Sequence, residues 1–137
     1  MTRYLLDTNI ISEVRKSRPH GGLLAWLSNL RDEQLSLSAV TLGELQAGVE
    51  LTRRQDPAKA AEIEVWVDQL SQSFQILPMD ELCFREWGRL KEGQPDRILE
   101  DAMIAATARV HRLTVATRNE RDFKSFDVAI VNPFKAA

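Results

Sequence analysis

Short hydrophobic runs alternate along the chain with longer segments in which hydrophobic residues recur every three or four positions. The short runs RYLL, LSL, FQIL, LTVAT and VAIV occupy residues 3–6, 35–37, 74–77, 113–117 and 128–131. They predict buried strands, and the longer segments predict helices. The predicted helices cover residues 10–16, 22–31, 42–54, 60–74, 81–93 and 100–112. Strands that alternate with helices indicate an α/β fold with a mainly parallel sheet and helices on both faces.

One predicted helix, at residues 60–74, has an unusually broad apolar surface. Its apolar stripe consists of Ile63, Trp66, Val67, Leu70 and Phe74. Packing on the sheet explains this spacing. Val65 beside Trp66 widens the stripe, so part of the helix is also suited to a partner helix or a second subunit.

The length and composition fit a single domain over residues 1–137. With 137 residues, of which 44% are hydrophobic, the chain can bury a core without disulfides or metals. One cysteine and two histidines make a structural zinc site improbable, and one cysteine cannot form an internal disulfide. Asp7 interrupts the first apolar run, and no stretch approaches the ~18 apolar residues of a membrane span. We therefore expect a cytoplasmic protein without a membrane segment.

Basic residues form two clusters, although the formal net charge is −2. The overall charge gives no attraction toward nucleic acid. The clusters consist of Arg15, Lys16 and Arg18, and of Arg109, Arg112, Arg118, Arg121 and Lys124. Such clusters are typical of solvated surfaces, and they become candidate phosphate contacts where a site lies nearby.

An aspartate ends the first predicted strand, in the stretch RYLLDTN. Ligands of open α/β sheets bind beyond the carboxyl ends of the strands, so Asp7 is placed for a functional role. The alternative is helix capping, because Asp7, Thr8 or Asn9 can accept a backbone N–H at the start of the next helix. This residue alone does not separate the two interpretations.

Glu44 follows the second predicted strand and also has two interpretations. Thr41 and Glu44 have the spacing of a capping box, which would account for both residues without any chemistry. The functional interpretation puts Glu44 in the first turn of its helix, at the same edge of the sheet as Asp7.

Two acids, Glu100 and Asp101, lie near the start of the last predicted helix, where the helix dipole favours negative charge. If Asp96 is the N-cap, Asp101 lies beyond the first turn and needs another explanation. Adjacent residues of a helix point about 100° apart, so at most one of the two acids faces a shared pocket. Asp101 shares the sheet-facing side with Ile104 and Ala105, and we therefore select Asp101.

Polar residues also follow the fourth predicted strand, in the stretch TRNERDF. Turn formation explains Asn119 and Asp122 equally well in isolation. Parallel strands, however, would bring the acids of all these strand ends to one edge of the sheet. Clustered carboxylates raise one another's pKa values unless a cation lies between them. Oxygen ligands without cysteine or histidine favour Mg²⁺ or Mn²⁺, ions that suit phosphate chemistry.

Five motifs, LLDTNIIS, SAVTLGEL, EDAMIAATA, TRNERDF and VAIVNPF, occur in this order along the chain. The set resembles the PIN-domain ribonucleases, and most of all the VapC/FitB-type toxins of type II toxin–antitoxin pairs. The resemblance spans essentially the whole chain. It implies an α/β/α sandwich, Mg²⁺- or Mn²⁺-dependent endonucleolytic cleavage of RNA with a 5′-phosphate product, and inhibition by a cognate antitoxin.

The resemblance also implies roles for individual residues. The implied metal-binding and catalytic acids are Asp7, Glu44 and Asp101, with Asp122 as a fourth catalytic acid and Thr8, Thr117 and Asn119 as supporting polar residues. Because family members differ in whether the last acid contacts the metal, Asn119 is an alternative to Asp122. The residues expected to guide the RNA backbone are Arg15, Lys16, Arg118, Arg121 and Lys124.

The partners implied by the resemblance are the RNA substrate, the antitoxin and a second copy of the chain. We expect a homodimer, within a larger toxin–antitoxin assembly. The antitoxin tail is expected to cross a groove between residues 42–54 and the helix of Trp66. An Arg or Lys of that tail among the carboxylates would replace the positive charge of the metal.

Other classes of protein also carry acids at strand ends. A receiver-like Mg²⁺-binding module needs two adjacent acids after the first strand, where LLDTN has one. A haloacid-dehalogenase-type phosphatase needs a second aspartate two residues after Asp7, where Asn9 stands. A non-catalytic interaction protein of the same fold is a further alternative, although the presence of all four acids argues against it. No P-loop occurs, Cys83 lies among core-type residues, and His20 and His111 are interpreted as surface or capping residues.

Overall fold

A five-stranded parallel sheet forms the centre of the computed structural model, which describes residues 1–135. The strands are β1 (Tyr4–Leu6), β2 (Leu35–Ser38), β3 (Gln75–Leu77), β4 (Thr114–Ala116) and β5 (Ile130–Val131). Their order is β3-β2-β1-β4-β5, and every pairing is parallel. The predicted α/β fold with a parallel sheet is therefore confirmed. The end of the predicted domain, at residues 136–137, lies outside the described residues.

Seven α-helices occur within the described residues. They are α1 (Thr8–Arg15), α2 (Gly21–Ser28), α3 (Ala39–Arg53), α4 (Pro57–Ser73), α5 (Glu81–Leu90), α6 (Leu99–His111) and α7 (Glu120–Phe123). The first six match the predicted helices, with ends displaced by at most three residues. The seventh was expected to be a loop, because a four-residue helix is too short to show periodicity. None of the helices in this part of the chain is long and apolar enough to cross a membrane.

Hydrophobic cores lie on both faces of the sheet, because successive strand residues point to opposite sides. On one face, Leu5 packs in a cluster with Ala105 of α6 and Phe123 of α7. On the other face, Leu6 packs in a cluster with Ile10 of α1 and with residues of α2 and α4. The helices therefore flank the sheet as predicted. This arrangement brings the carboxyl ends of β1, β2 and β4 side by side at one edge.

The start of α3 differs from the prediction. The Oγ atom of Ser38 accepts the backbone N–H of Val40 at 3.0 Å, so Ser38 is the N-cap. Thr41 lies inside the helix and is fully buried. The predicted capping box of Thr41 and Glu44 is therefore wrong, because the helix already begins at Ala39.

The start of α6 corrects a second expectation. A 3₁₀ turn covers Asp96–Ile98, and α6 begins at Leu99 without a side-chain cap. Asp96 is therefore not the N-cap of α6. Glu100 and Asp101 both lie in the first turn, where the helix dipole favours them.

Candidate active site

Four carboxylates from separate elements meet at the carboxyl edge of the sheet. Burial, together with the charges of Asp7, Asp122 and Glu44, raises the pKa of Asp101 to about 7. Burial likewise raises the pKa of Glu44, and the charge of Asp7 adds to it. The three other predicted acids thus act on the charge of Asp101 of α6, although Asp7 follows β1, Glu44 lies in α3 and Asp122 lies in α7.

Asp7 is the most buried of these acids, with 4% of its surface exposed. Its Oδ1 atom accepts the backbone N–H of Thr8 at 2.8 Å, which makes it the N-cap of α1. Its Oδ2 atom accepts the hydroxyl of Thr117 at 2.8 Å and the amide of Asn9 at 3.2 Å. Burial raises the pKa of Asp7, and these three hydrogen bonds oppose the rise. Asp7 therefore caps a helix, as one sequence interpretation has it, and its functional role stays a prediction.

Thr117 and Asn9 connect the ends of β1 and β4. Thr117 Oγ1 accepts the backbone N–H of Asn119 at 2.8 Å and lies 3.4 Å from Asn9 Nδ2. Asn9 Oδ1 accepts the backbone N–H of Arg118 at 3.2 Å. The sequence interpretation missed this bridging position of Asn9, because its partners lie more than a hundred positions away. The triplet DTN, which places Asn9 two residues after Asp7 at the end of β1, was the sequence feature that could have indicated this role.

A second set of hydroxyls lies beside Glu44. Thr8 Oγ1 donates to Glu44 Oε1 at 2.8 Å and lies 3.0 Å from Thr41 Oγ1. Because Thr8 has one hydroxyl proton, it accepts from Thr41 while it donates to Glu44. This bond lowers the pKa of Glu44 against the rise caused by burial. Thr8, predicted as a supporting polar residue, thus forms a hydrogen bond with Glu44. The sequence interpretation missed the contact of Thr41 with Thr8.

The remaining acids of the cluster have different surroundings. Asp122 Oδ1 accepts a hydrogen bond from Nη1 of Arg97 at 3.2 Å. Asn119, the alternative to Asp122, is exposed and its side chain does not cap α7. Glu100 is exposed, and its charge adds to the raised pKa values of Asp101 and Glu44.

The chemistry of these donors suits a hard divalent cation. They are carboxylate oxygens, and the raised pKa values reflect burial and repulsion that a bound cation would offset. Within residues 1–135, no three acidic, histidine or cysteine side chains are grouped closely enough to hold a metal ion by themselves. Mg²⁺ is commonly bound by one or two carboxylates together with water and substrate phosphates, so it does not require such a group.

The predicted basic residues lie in two places near the cluster. Arg118, Arg121 and Lys124 line a surface pocket of about 590 Å³. Lys135, which the sequence interpretation missed, also lines this pocket and forms a salt bridge of 2.6 Å with Glu120. The guanidinium of Arg118 lies 3.8 Å from the ring centroid of Phe134, which restricts its movement.

Arg15 is the last residue of α1, and Lys16 is its C-cap. The guanidinium of Arg15 lies 5.7 Å from the ring centroid of Trp66. Lys16 Nζ lies 2.9 Å from Oε1 of Glu13, which is buried, and this contact holds the pKa of Glu13 below its usual value. The same Oε1 atom lies 3.4 Å from Nη2 of Arg118, so Lys16 lies beside Arg118, whereas Arg15 lines the groove next to Trp66.

A groove of about 420 Å³ runs between α1, α3 and α4 and reaches the acid cluster. Glu44 and Thr8 lie at its acidic end, and Ile63 and Trp66 of α4 supply apolar surface. Gly48 of α3 also lines it, and a Cβ atom added there would have no atom within 4 Å. The groove lies where the sequence interpretation placed the antitoxin tail.

The roles suggested for His20 and Cys83 agree with the structure. Nδ1 of His20 accepts the backbone N–H of Leu23 at 3.2 Å and caps α2. Cys83 is fully buried in α5, as expected for a packing residue.

Comparison with known proteins identifies the family. Residues 4–129 match the PIN domain family. Toxin FitB of Neisseria gonorrhoeae is 37% identical over 95% of this chain and 97% of its own length. VapC ribonuclease Y4jK of Sinorhizobium fredii is 33% identical, with 97% and 99% of the two chains covered.

Solved structures agree with this match. The toxin-like chain in the structure of FitAB bound to an IR36 DNA fragment superposes with a TM-score of 0.85 at 35% identity, covering 98% of this chain and 97% of that chain. FitAcB from Neisseria gonorrhoeae superposes with a TM-score of 0.80 at 38% identity, covering 97% and 99% of the two chains. The chain described above therefore belongs to the PIN domain family.

Proposed function

We propose that this chain is a metal-dependent endoribonuclease and the toxin component of a toxin–antitoxin pair. The observation that carries the proposal is the cluster of four carboxylates at the carboxyl edge of the sheet, around Asp101 with its pKa of about 7. The match to the PIN domain family and to a relative named VapC ribonuclease supports RNA as the substrate.

Asp7, Glu44 and Asp101, together with water and substrate phosphates, would hold Mg²⁺ or Mn²⁺. Such an ion supplies Lewis acidity, which neutralises charge at a phosphate and activates water for attack. Hydrogen bonds from Thr8, Asn9 and Thr117 orient the Asp7 carboxylate before any ligand binds. The hydroxyl of Thr8 also orients Glu44. These contacts pre-organise the oxygen ligands, so less conformational freedom is lost when the site is occupied.

The pocket lined by Arg118, Arg121, Lys124 and Lys135 would bind the phosphate backbone of RNA. Guanidinium and ammonium groups bind phosphates without reading sequence, so this binding would be salt-dependent and poor in sequence information. Arg118 is held in place by Phe134 and by Glu13, whose Oε1 lies 3.4 Å from its Nη2.

The antitoxin would lie in the groove between α1, α3 and α4. A solved relative that is 27% identical, a toxin–antitoxin complex from Klebsiella pneumoniae, supports a protein partner for this chain. The groove combines apolar surface from Trp66 with the negative charge of Glu44. An apolar segment ending in Arg or Lys therefore fits it, and such a cation would occupy the position of the metal. We also propose that the chain forms a homodimer.

Cleavage of a mixed structured RNA by the purified protein tests the proposal. The reactions contain Mg²⁺, Mn²⁺ or EDTA, and the ends of the products are mapped. We expect metal-dependent cleavage that leaves 5′-phosphates and is absent in Asp7→Asn and Asp101→Asn. Asp68→Asn, which changes an exposed acid of α4, is the matched control and retains activity. Absence of cleavage with every metal, from folded protein, would overturn the proposal in favour of a binding protein.

A further inference from the structure

Arg97 places a positive charge at the border of the acid cluster. It lies in the 3₁₀ turn before α6, and its Nη1 atom is 3.2 Å from Oδ1 of Asp122. The Arg97 side chain is 68% exposed, whereas that of Asp122 is 18% exposed. Arg97 therefore contacts one of the acids whose charge acts on Asp101.

This position distinguishes Arg97 from the other cations near the site. Among residues 1–135, it is the cation that forms a salt bridge with one of the four acids, whereas Arg118 and Lys16 pair with Glu13. Phosphates approaching four carboxylates meet strong repulsion. A guanidinium at this border offsets that repulsion, and its planar N–H donors can bind phosphate oxygens in a bidentate manner.

We propose that Arg97 binds a phosphate of the RNA next to the bond that is cleaved, with Asp122 as the residue that positions it. The inference rests on the proposed function and assigns a further substrate contact to the same site. One N–H of Arg97 is directed to Asp122, and the exposed guanidinium keeps other donors available for a phosphate. Asp122 then acts on the substrate through Arg97. This role explains why Asp122 accepts a hydrogen bond from the Arg97 guanidinium.

A purely structural role for the pair predicts something different. The Arg97–Asp122 salt bridge also connects the 3₁₀ turn to α7, and its loss would then affect folding alone. A matched pair that involves none of the four acids lies in α5, where Nη1 of Arg89 lies 2.9 Å from Oε1 of Glu86. The exposures of that pair, 64% and 15%, are close to those of Arg97 and Asp122. Arg89→Ala is therefore the control for Arg97→Ala.

Binding of a fluorescent single-stranded RNA in EDTA, over a series of KCl concentrations, tests the inference without cleavage. For Arg97→Ala we expect a loss of affinity of about 3- to 10-fold at low salt and a salt slope smaller by about 0.7. Arg97→Lys retains the slope because it retains the charge. Arg89→Ala leaves affinity and slope unchanged, and thermal unfolding verifies that each variant is folded.

Other outcomes of the binding and cleavage measurements would contradict the inference or the proposed function. Equal RNA affinity and equal salt slopes for Arg97→Ala and Arg89→Ala would overturn the inference. RNA binding that depends on Arg97 in a protein that cleaves no RNA would contradict the proposed function and would support only the contact between Arg97 and RNA. Metal-dependent cleavage with a KM unaffected by Arg97→Ala would support the proposed function and contradict the inference about Arg97.

Discussion

The hydroxyl of Thr117 donates a 2.8 Å hydrogen bond to Oδ2 of Asp7, although the two residues are 110 positions apart in the sequence. Strands β1 and β4 are adjacent and parallel, so their carboxyl ends lie side by side. Thr117 is fully buried and Asp7 nearly so, which prevents water from taking the place of the hydroxyl. This pair therefore sets the orientation of the carboxylate at the centre of the proposed site.

Replacing Thr117 by Val removes the donor and keeps the shape of the side chain. The Asp7 carboxylate then loses a hydrogen bond that lowers its pKa, and buried groups are left without a partner. We expect a loss of stability of about 1–3 kcal/mol and a decrease in cleavage rate of at least about 10-fold. Urea unfolding and the rate as a function of pH measure the two effects.

Thr117→Ser is the control for this prediction, because serine retains the hydroxyl. It is expected to keep most of the activity and to shift the pH profile less than Thr117→Val. Equal pH profiles for the two variants would show that the hydrogen bond to Asp7 does not control the charge of this carboxylate.

Asp101→Asn is expected to flatten the pH dependence of stability in metal-free protein. The folded pKa of Asp101 is about 7, well above the unfolded value of about 3.9. The protonated carboxyl therefore favours the folded state, and this contribution is lost as the pH rises from about 4 to about 7. At pH 8 in EDTA the variant should be more stable than the wild type by about 1–2 kcal/mol, after allowance for solvent screening.

Thermal unfolding at pH 5 and pH 8 measures this difference. Addition of Mn²⁺ at pH 8 should raise the unfolding temperature of the wild type more than that of Asp101→Asn, because the variant lacks one oxygen anion for the metal. An unchanged pH dependence in Asp101→Asn would contradict the assigned pKa.

Asn9→Asp tests whether the amide of Asn9 is needed beside Asp7. The substitution retains an acceptor for the N–H of Arg118 and replaces the donor to Asp7 by a second negative charge. We expect metal-free protein to lose about 1–2 kcal/mol of stability, part of which Mn²⁺ restores. Gln69→Glu adds the same charge at an exposed position of α4 and should change stability by less than about 0.5 kcal/mol. A loss that Mn²⁺ does not reduce would count against a cation in this position.

Gly48 allows the groove to be tested separately from the acid cluster. No atom lies within 4 Å of a Cβ added at Gly48 or at Gly88, which is a comparable open position in α5. Both glycine-to-alanine variants should gain about 0.5–1 kcal/mol, because alanine favours the helix. Gly48→Phe should weaken binding of the cognate antitoxin, whereas Gly88→Phe should not. Isothermal titration with the antitoxin measures the difference, and equal affinities would place the antitoxin elsewhere.

Much of the fold was predictable from the sequence because local patterns encode it. Alternation of short apolar runs with helical periodicity predicted all five strands and six of the seven helices in the described part of the chain. The differences from the sequence interpretation lie at helix ends, because a single hydrogen bond can determine where a helix begins. Ser38 replaced Thr41 as the cap of α3, and Asp96 lies in a 3₁₀ turn instead of capping α6.

Local patterns also explain which acids could be selected from the sequence. Asp7, Glu44 and Asp101 each follow a strand or begin a helix, and parallel strands bring such positions together. The sequence alone therefore determined the strand ends, the residue types of the cluster and its resemblance to the PIN family. It did not determine the contacts of Asn9, Thr41 and Arg97, because none of these belongs to a periodic pattern.

The tertiary structure decided how these side chains are paired. Thr117 with Asp7, Asn9 with Arg118, and Arg97 with Asp122 are contacts between distant parts of the chain. Periodicity reports the face on which a residue lies, but hydrogen bonds depend on distances and angles set by the packed sheet and helices. The raised pKa of Asp101 likewise arises from burial and from charges on three other elements. Composition and spacing thus determined which residues reach the edge of the sheet, and packing determined what each of them contacts there.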